Sequence, residues 1–448
     1  MGEQAISKKL SIFSVTWPIF FELLLLMLLG NVDILMLSQY SDDSVAAVGV
    51  SNQLLQTAMT MFGFVSAGVA VIISQYIGAK KIEDAKRVSV VSILTSLCFG
   101  LIVSLAFVFL RLPLLRLMGL ESALIPEASF FVLIVGGFIF IQAILLTIGA
   151  ILRSHGHTRD MLVVTIIMNI FNALGNSFVL FGLFGVPILG VPGIAVVTVF
   201  SKLLGLTIAI FMLRKRIPGI FRTINFKKFP FHYIRSILKI GLPTAGGNLS
   251  YQGYQLAIIM FVTTLGTTAL TTKMYTRVIN WFILLFTLAL GQGTLIVIGQ
   301  LTGAKKYDEI YKRGLQYLKI GSAVSLIGAI ILFTISYPVL GIFTDNPDIL
   351  STGRRLFMLG IILEPGRAFN MILINALRAT GDVKFPLYMD IIFMWSVGVL
   401  GGYLLGIVLG WGLVGIMIAA LMDEWIRGII MFFRWRSRIW QTKNAVTD

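Results

Sequence analysis

The stretch Gln75-Tyr76-Ile77-Gly78-Ala79-Lys80-Lys81 returns 225 positions later as Gln300-Leu301-Thr302-Gly303-Ala304-Lys305-Lys306. The same offset joins Pro18 to Pro243, Leu152-Arg153 to Leu377-Arg378, and Gly156 to Gly381. It shortens to 222 for Gly190 and Gly193 against Gly412 and Gly415, which implies a three-residue indel before the last helix of each half. An offset held over this length of chain marks a tandem duplication.

The composition says what was duplicated. Of 448 residues, 57% are hydrophobic and 12% charged, and mean hydropathy is +0.92. A soluble chain carries about 25% charged residues to keep its surface solvated, so most of this surface faces hydrocarbon. A helix needs about 20 apolar residues to cross a bilayer. Twelve such runs lie near 11–37, 46–77, 89–110, 128–151, 161–182, 190–213, 238–264, 268–301, 316–343, 355–377, 386–409 and 412–433. Six runs per copy is an even number, so both copies enter the membrane in the same direction. The expected fold is an all-α membrane protein of twelve transmembrane helices, in two parallel six-helix lobes related by a pseudo-twofold axis along the membrane normal. The lobes span 1–213 and 238–448, joined by a basic linker at 214–237. In such architectures the substrate cavity lies between lobes, and their rocking exposes it alternately.

Net charge is +16, yet the basic residues sit in short loops, so they read as topology determinants rather than a nucleic-acid surface. With the N-terminus inside, 27 Lys and Arg fall in cytoplasmic segments, among them Lys8, Lys9, Lys80, Lys81, Lys227, Lys228, Lys305 and Lys306. Only Arg111, Arg116, Arg354 and Arg355 fall outside. The asymmetry expects a multi-pass protein of the cell (inner) membrane with both termini cytoplasmic. The first apolar run lacks a small-residue cleavage site and reads as an uncleaved helix. The single Cys98 permits no intrachain disulfide. No Gly-x-x-x-x-Gly-Lys-Ser/Thr loop is present, which excludes ATP-driven transport within this chain. No HExxH zinc site is present either, and an enzyme is not expected.

A carboxylate at the centre of a membrane helix costs about 2.5–3.5 kcal/mol on insertion scales, so each one needs a reason. The first helix carries Glu22 near its middle and Asp33 toward its outer end, three turns apart on roughly one face. Asp33 reads as a proton or sodium acceptor, or more plainly as an interfacial acid. Its repeat counterpart is Ile258, so it is no part of the shared scaffold. Glu22 is either functional or a structural hydrogen-bonding group. Asn169, Asn172 and Asn176 form one stripe on helix 5, able to coordinate a cation, line a wet cavity or hydrogen-bond between helices. Gln53 and Tyr251 are further candidate cavity residues. In the second copy, Glu364 and Arg367 flank Pro365, and Arg427 can pair with Asp423 or Glu424. The 423–427 group reads as structural and Asp390 as interfacial, while Lys202, Lys273 and Arg277 are expected to snorkel or pair.

The chain resembles the MATE (multidrug and toxic compound extrusion) family of the MOP superfamily over nearly its whole length. The resemblance rests on Trp17-Pro18-Ile19-Phe20-Phe21-Glu22 leading to Asp33, on the Gln75–Lys81 run and its repeat, on Glu364-Pro365-Gly366-Arg367, and on Leu377-Arg378-Ala379-Thr380-Gly381-Asp382 before Pro386. It implies a secondary antiporter exporting amphiphilic or cationic small molecules in exchange for protons or sodium, with no other cofactor; a monomer is expected, though the sequence does not fix the oligomeric state. Asp33 falls on the family's helix-1 aspartate, Asn172 and Asn176 on its helix-5 Asn and Asp positions, and Thr198 on its helix-6 Thr. Asn176 removes a negative charge from that site, which weakens the case for sodium at Asp33, Asn172 and Asn176. Tyr251 stands where the NorM branch keeps a glutamate. The chain looks nearer the DinF-like branch, coupled to protons through Asp33. The rival readings are a lipid or lipid-linked oligosaccharide flippase of the same superfamily and a non-catalytic membrane scaffold. A balance of intramembrane acids and bases disfavours the flippase.

Overall fold

The computed structural model describes residues 11–182, 185, 187–223 and 230–443. Lys8, Lys9, Lys227 and Lys228 of the basic segments lie outside the described residues. The first copy contains α1 Ile12–Ser38, α2 Asp42–Gly78, α3 Ile82–Leu117, α4 Ile125–Phe131, α5 Phe140–Ser154, α6 Thr158–Phe181 and α7 Gly190–Arg216. The second contains α8 Phe231–Thr264, α9 Thr267–Gly303, α10 Tyr307–Thr334, the short α11 Ser336–Gly341, α12 Pro347–Thr380, α13 Lys384–Phe393, α14 Gly401–Tyr403 and α15 Gly412–Arg436. The described residues contain no strand.

Nine of these spans are long and apolar enough to cross a membrane, with Lys384–Val408 taken as one, and ten if the bent pair Ile125–Gly136 and Phe140–Ser154 is one span. The other two of the twelve are the more polar ones. Helix α8 carries Asn248, Tyr251, Gln252 and Gln255, and α15 carries Asp423, Glu424 and Arg427. Two spans depart from regular α-helix, which their apolar composition does not foretell. A π-helical run Val132–Gly136 precedes a 43° bend before α5, and π-helical runs Met394–Leu400 and Leu404–Val408 flank α14. Such wide turns release backbone groups and are frequent at functional sites.

The duplication is written in the backbone as well as in the residues. Lys80 and Lys305 are both left-handed, at φ 59° and 56°, and each closes its helix by a bond from the next amide to the carbonyl five residues back. Lys81 reaches Tyr76 at 2.9 Å and Lys306 reaches Leu301 at 3.1 Å, the helix-terminating pattern usually built on glycine. Gly156 and Gly381 repeat the device at φ 83° and 94°, with His157 bonding to Leu152 and Asp382 to Leu377. Even the shifted pair Gly190 and Gly412 agree, at φ 57° and 59°.

The chain divides into two compact units, one of residues 17–77 and 81–241, the other of residues 11–16, 78–80 and 242–443 among those described. The cuts after Thr16 and after Gly241 are again 225 apart, so each copy's first helix begins in the other copy's unit. Close backbone approach holds both beginnings. A Cβ on Gly68 would stand 2.6 Å from the Ile237 carbonyl, and one on Gly293 would stand 2.9 Å from the Thr16 hydroxyl. In the first unit Leu37, Val48, Leu55, Phe62, Phe131 and Ile194 belong to one buried core. In the second, Ile258, Leu356, Leu363, Met394, Leu413 and Ile416 form another. The α15 end is held by Trp435, stacked on Trp440 at 4.7 Å between ring centres.

Between α5 and α6, His155 folds back so that its Nδ1 lies 2.8 Å from the Ile151 carbonyl, while its Nε2 is buried without a partner. Burial holds its pKa down at about 4, against an ordinary 6.5. A depressed histidine contributes stability that is complete above pH 6.5 and lost as pH falls through 4. That loss is on the order of 3 kcal/mol for a shift of this size. His155→Gln should flatten the melting temperature in detergent between pH 7 and 4, whereas the wild type should fall across that window.

Candidate functional site

In the first unit α1 and α6 bring three of the sequence candidates together. The Asn176 Nδ2 donates to Asp33 Oδ1 at 2.9 Å and to Asn172 Oδ1 at 3.2 Å. Asn172 and Asn176 are buried, and Asp33 is half-buried. Asn176 therefore turns its NH2, not its carbonyl, toward the carboxylate, and its own Oδ1 is buried without a donor. The Asn176 NH2 thus stands between the Asp33 and Asn172 oxygens.

Asp33 opens on a cavity of about 70 Å³ whose wall includes Asn52, Thr198 and Lys202. Phe131, at the end of α4, and Val135, from the π-helical run, close another side. Lys202 does not snorkel. Its ammonium makes no hydrogen bond or ion pair among the described residues, and the charge acting on it is Asp33. Sequence reading missed its part in the site. A lysine on α7 reveals its partner only once α1 is placed.

The other candidates go elsewhere. Glu22 accepts two bonds from Arg153 Nη1, both at 3.1 Å, a buried ion pair that ties α1 to α5. Asn169 donates to the Leu25 carbonyl at 3.2 Å, so the asparagine stripe splits into a helix-pinning member and the Asp33 pair. The polar residue that α2 turns to this cavity is Asn52; Gln53 beside it is not in the lining, and both are exposed.

The second unit holds a larger cavity of about 340 Å³ between α8, α9, α12, α13 and α15. Tyr251 and Arg367 line it, together with Trp281, Arg378, Asp390, Glu424 and Arg427. Asp390, expected at the interface, is buried in the bundle, and its Oδ1 accepts from Arg427 at 2.9 Å. The same guanidinium reaches Asp423 at 2.5 Å and Glu424 at 3.3 Å, so it serves three carboxylates rather than the one expected. Arg367 pairs with Glu364 at 2.7 Å and reaches Glu424 at 3.6 Å, and Asn370 donates to Glu424 at 2.9 Å. The members of this network come from three helices, α12, α13 and α15, and helical spacing alone exposes only the 364–367 and 423–427 pairs.

A family model, MatE, matches residues 18–178 and 243–404, one match on each copy of the repeat. The chain belongs to the MatE family. It is 48% identical over 440 residues to a Bacillus subtilis protein named uncharacterized transporter YisQ, covering 98% of this chain and 96% of that protein. It is 26% identical over 396 residues to a probable multidrug resistance protein NorM of Oceanobacillus iheyensis, covering 84% and 85%. Among solved structures, MATE in a bent conformation matches with a TM-score of 0.88 at 21% identity over 97% of this chain and 96% of that one. The Vibrio cholerae MATE transporter VcmN in a bent form matches equally, at 0.88 and 19% identity over 98% of both. These likenesses carry the twelve-helix MatE fold, and with it the membrane-embedded character of the chain.

The Arg427 network generates a stability prediction for this MatE protein. Arg427→Met leaves Asp390, Asp423 and Glu424 without their shared counter-charge and should cost about 3–5 kcal/mol, the usual penalty for orphaning buried charge. It would be read as lost melting temperature and expression in detergent. Arg427→Lys should recover only part, since an ammonium cannot fork between carboxylates.

Proposed function

We propose that the chain exports amphiphilic or cationic small molecules by alternating access, in exchange for protons bound at Asp33. The carrying observation is the presence, on the wall of one small cavity, of a carboxylate held by Asn176 and of a lysine that makes no hydrogen bond or ion pair among the described residues. Family membership and the multidrug names of the NorM relatives support the substrate side of this reading.

The chemistry of the cavity favours the proton over sodium. Asp33 and Lys202 together carry no net charge, and a proton added to the carboxylate leaves the cavity with one uncompensated positive charge. In a medium of low dielectric constant that change is strongly felt, and it can bias which way the transporter faces. A sodium ion would enter beside an ammonium and meet an amide NH2 where a carbonyl would serve it. In this reading the basic loops face the cytoplasm, with both termini, at the cell membrane.

Purified wild type and Asp33→Asn, reconstituted in liposomes with ethidium, test the reading under a proton gradient alone and then a sodium gradient alone. Wild type should move dye with the proton gradient, and Asp33→Asn should lose at least tenfold of that rate. Lys202→Met removes the competing cation and should be the variant in which a sodium gradient begins to drive movement. Dye movement by wild type with sodium only would overturn proton coupling. Silence of folded wild type under both gradients, across several dyes, would overturn export of such molecules and favour a lipid flippase.

A further inference from the structure

The duplication supplies an internal control for the larger cavity. Arg153 and Arg378 are the same residue of the two copies, 225 apart, and so are Glu22 and Gly247. In the first copy the arginine is satisfied, with Nη1 at 3.1 Å from both oxygens of Glu22. In the second copy the acid has become glycine. The Arg378 guanidinium makes no hydrogen bond or ion pair among the described residues and stands on the cavity wall. A Cβ built on Gly247 would meet Arg378 Nη2 at 3.5 Å, Asp390 Oδ2 at 3.6 Å and Leu387 at 3.9 Å. These are ordinary contacts, so a Cβ fits at Gly247, and Gly247 and Arg378 both stand on the cavity wall.

The neighbouring charges do not fill that place. Arg367 is held by Glu364 and Glu424, and Arg427 by Asp390, Asp423 and Glu424. Lys273 acts on Glu364 and Arg367 rather than on Arg378. Asp390 faces Arg378 beyond ion-pair distance, with its Oδ1 committed to Arg427 at 2.9 Å. An arginine is always charged and presents five donors in a planar fork, which a carboxylate fits two-pronged. The wall also carries apolar and aromatic side chains, among them Trp281, Leu288, Met371 and Met394, beside the amides of Asn248, Gln292 and Asn375. The volume, about 340 Å³, falls in the range of small-molecule sites.

We propose that this cavity binds a small amphiphile through a carboxylate group, which pairs with Arg378 in the place of the glutamate missing at Gly247, while its apolar body lies against Trp281 and Met371. The proposal narrows the substrate class of the export reading and depends on that reading only for what becomes of the ligand, since binding is measurable without transport.

The test is calorimetric titration of the purified full chain in detergent with 2-naphthylacetate and with its neutral isostere 2-naphthylacetamide. Wild type should prefer the acid at least tenfold. Arg378→Gln should bind both alike. Gly247→Glu should also lose the preference, because the new side chain occupies the fork, and it should melt higher than wild type because it restores the ion pair of the first copy. That rise separates occupation of the site from damage to it. No preference in wild type, including no binding of the acid at millimolar concentration, overturns the proposal, and so does a preference that survives both substitutions. A preference that behaves as expected in a protein that moves neither ethidium nor 2-naphthylacetate in liposomes would leave the site standing and remove the export reading instead.

Discussion

Hydrocarbon does not solvate charge, and this constraint organises the molecule around its ionic groups. An intramembrane arginine or carboxylate survives by finding a partner or by facing water. Glu22 with Arg153 and Arg427 with its three carboxylates show the first solution, and each of these contacts also fixes a helix pairing that apolar packing alone would leave free to slide. Lys202 and Arg378 show the second. Each makes no hydrogen bond or ion pair among the described residues and stands on a cavity wall near one carboxylate, where the cost of its charge becomes a pull on whatever enters.

Duplication sharpens the distinction between scaffold and function. The features the copies share are backbone devices, such as left-handed closures at Lys80 and Lys305 or at Gly156 and Gly381, and the close approach of Gly78 to the Gln300 backbone, where no side chain fits. The chemistry lies where the copies differ. Asp33 answers to Ile258, Glu22 to Gly247, and Lys202, at the shifted offset of 222, to Glu424. Two lobes with one fold thus present different charges to their cavities, and neither can substitute for the other.

This pattern also sets what sequence alone could disclose. The repeat, the twelve spans and the Asp33–Asn172–Asn176 grouping were legible, the last because helical spacing puts the two asparagines on one face and the family resemblance places Asp33 beside them. Partners on distant helices were not. Glu22 and Arg153 are 131 residues apart and Asp390 and Arg427 37 apart, and no local periodicity links them. The distance of Asp390 from the span's end gives no measure of its burial, which the bundle around it determines. Asn52 rather than Gln53 lines the cavity beside Asp33, since a helix turns about 100° per step. The π-helical runs left no mark that apolar composition could carry, yet both cavities draw a wall residue from one, Val135 in the first unit and Met394 in the second.

The two cavities differ in size as well as charge, and the difference assigns their work on the proposals made here. Some 70 Å³ beside Asp33 holds a few waters and no organic molecule. Some 340 Å³ beside Arg378 holds a small ligand with its apolar body buried. The ion would then be handled in one lobe and the substrate in the other, so the two need not compete for one carboxylate. Coupling in such a scheme has to pass through the state of the whole transporter, because each ligand can shift that state only by binding one form more tightly than the other. A proton that unbalances the Asp33–Lys202 pair and a carboxylate that balances Arg378 act with opposite sign on the charge buried in their lobes. That opposition is the physical basis on which the two could be exchanged.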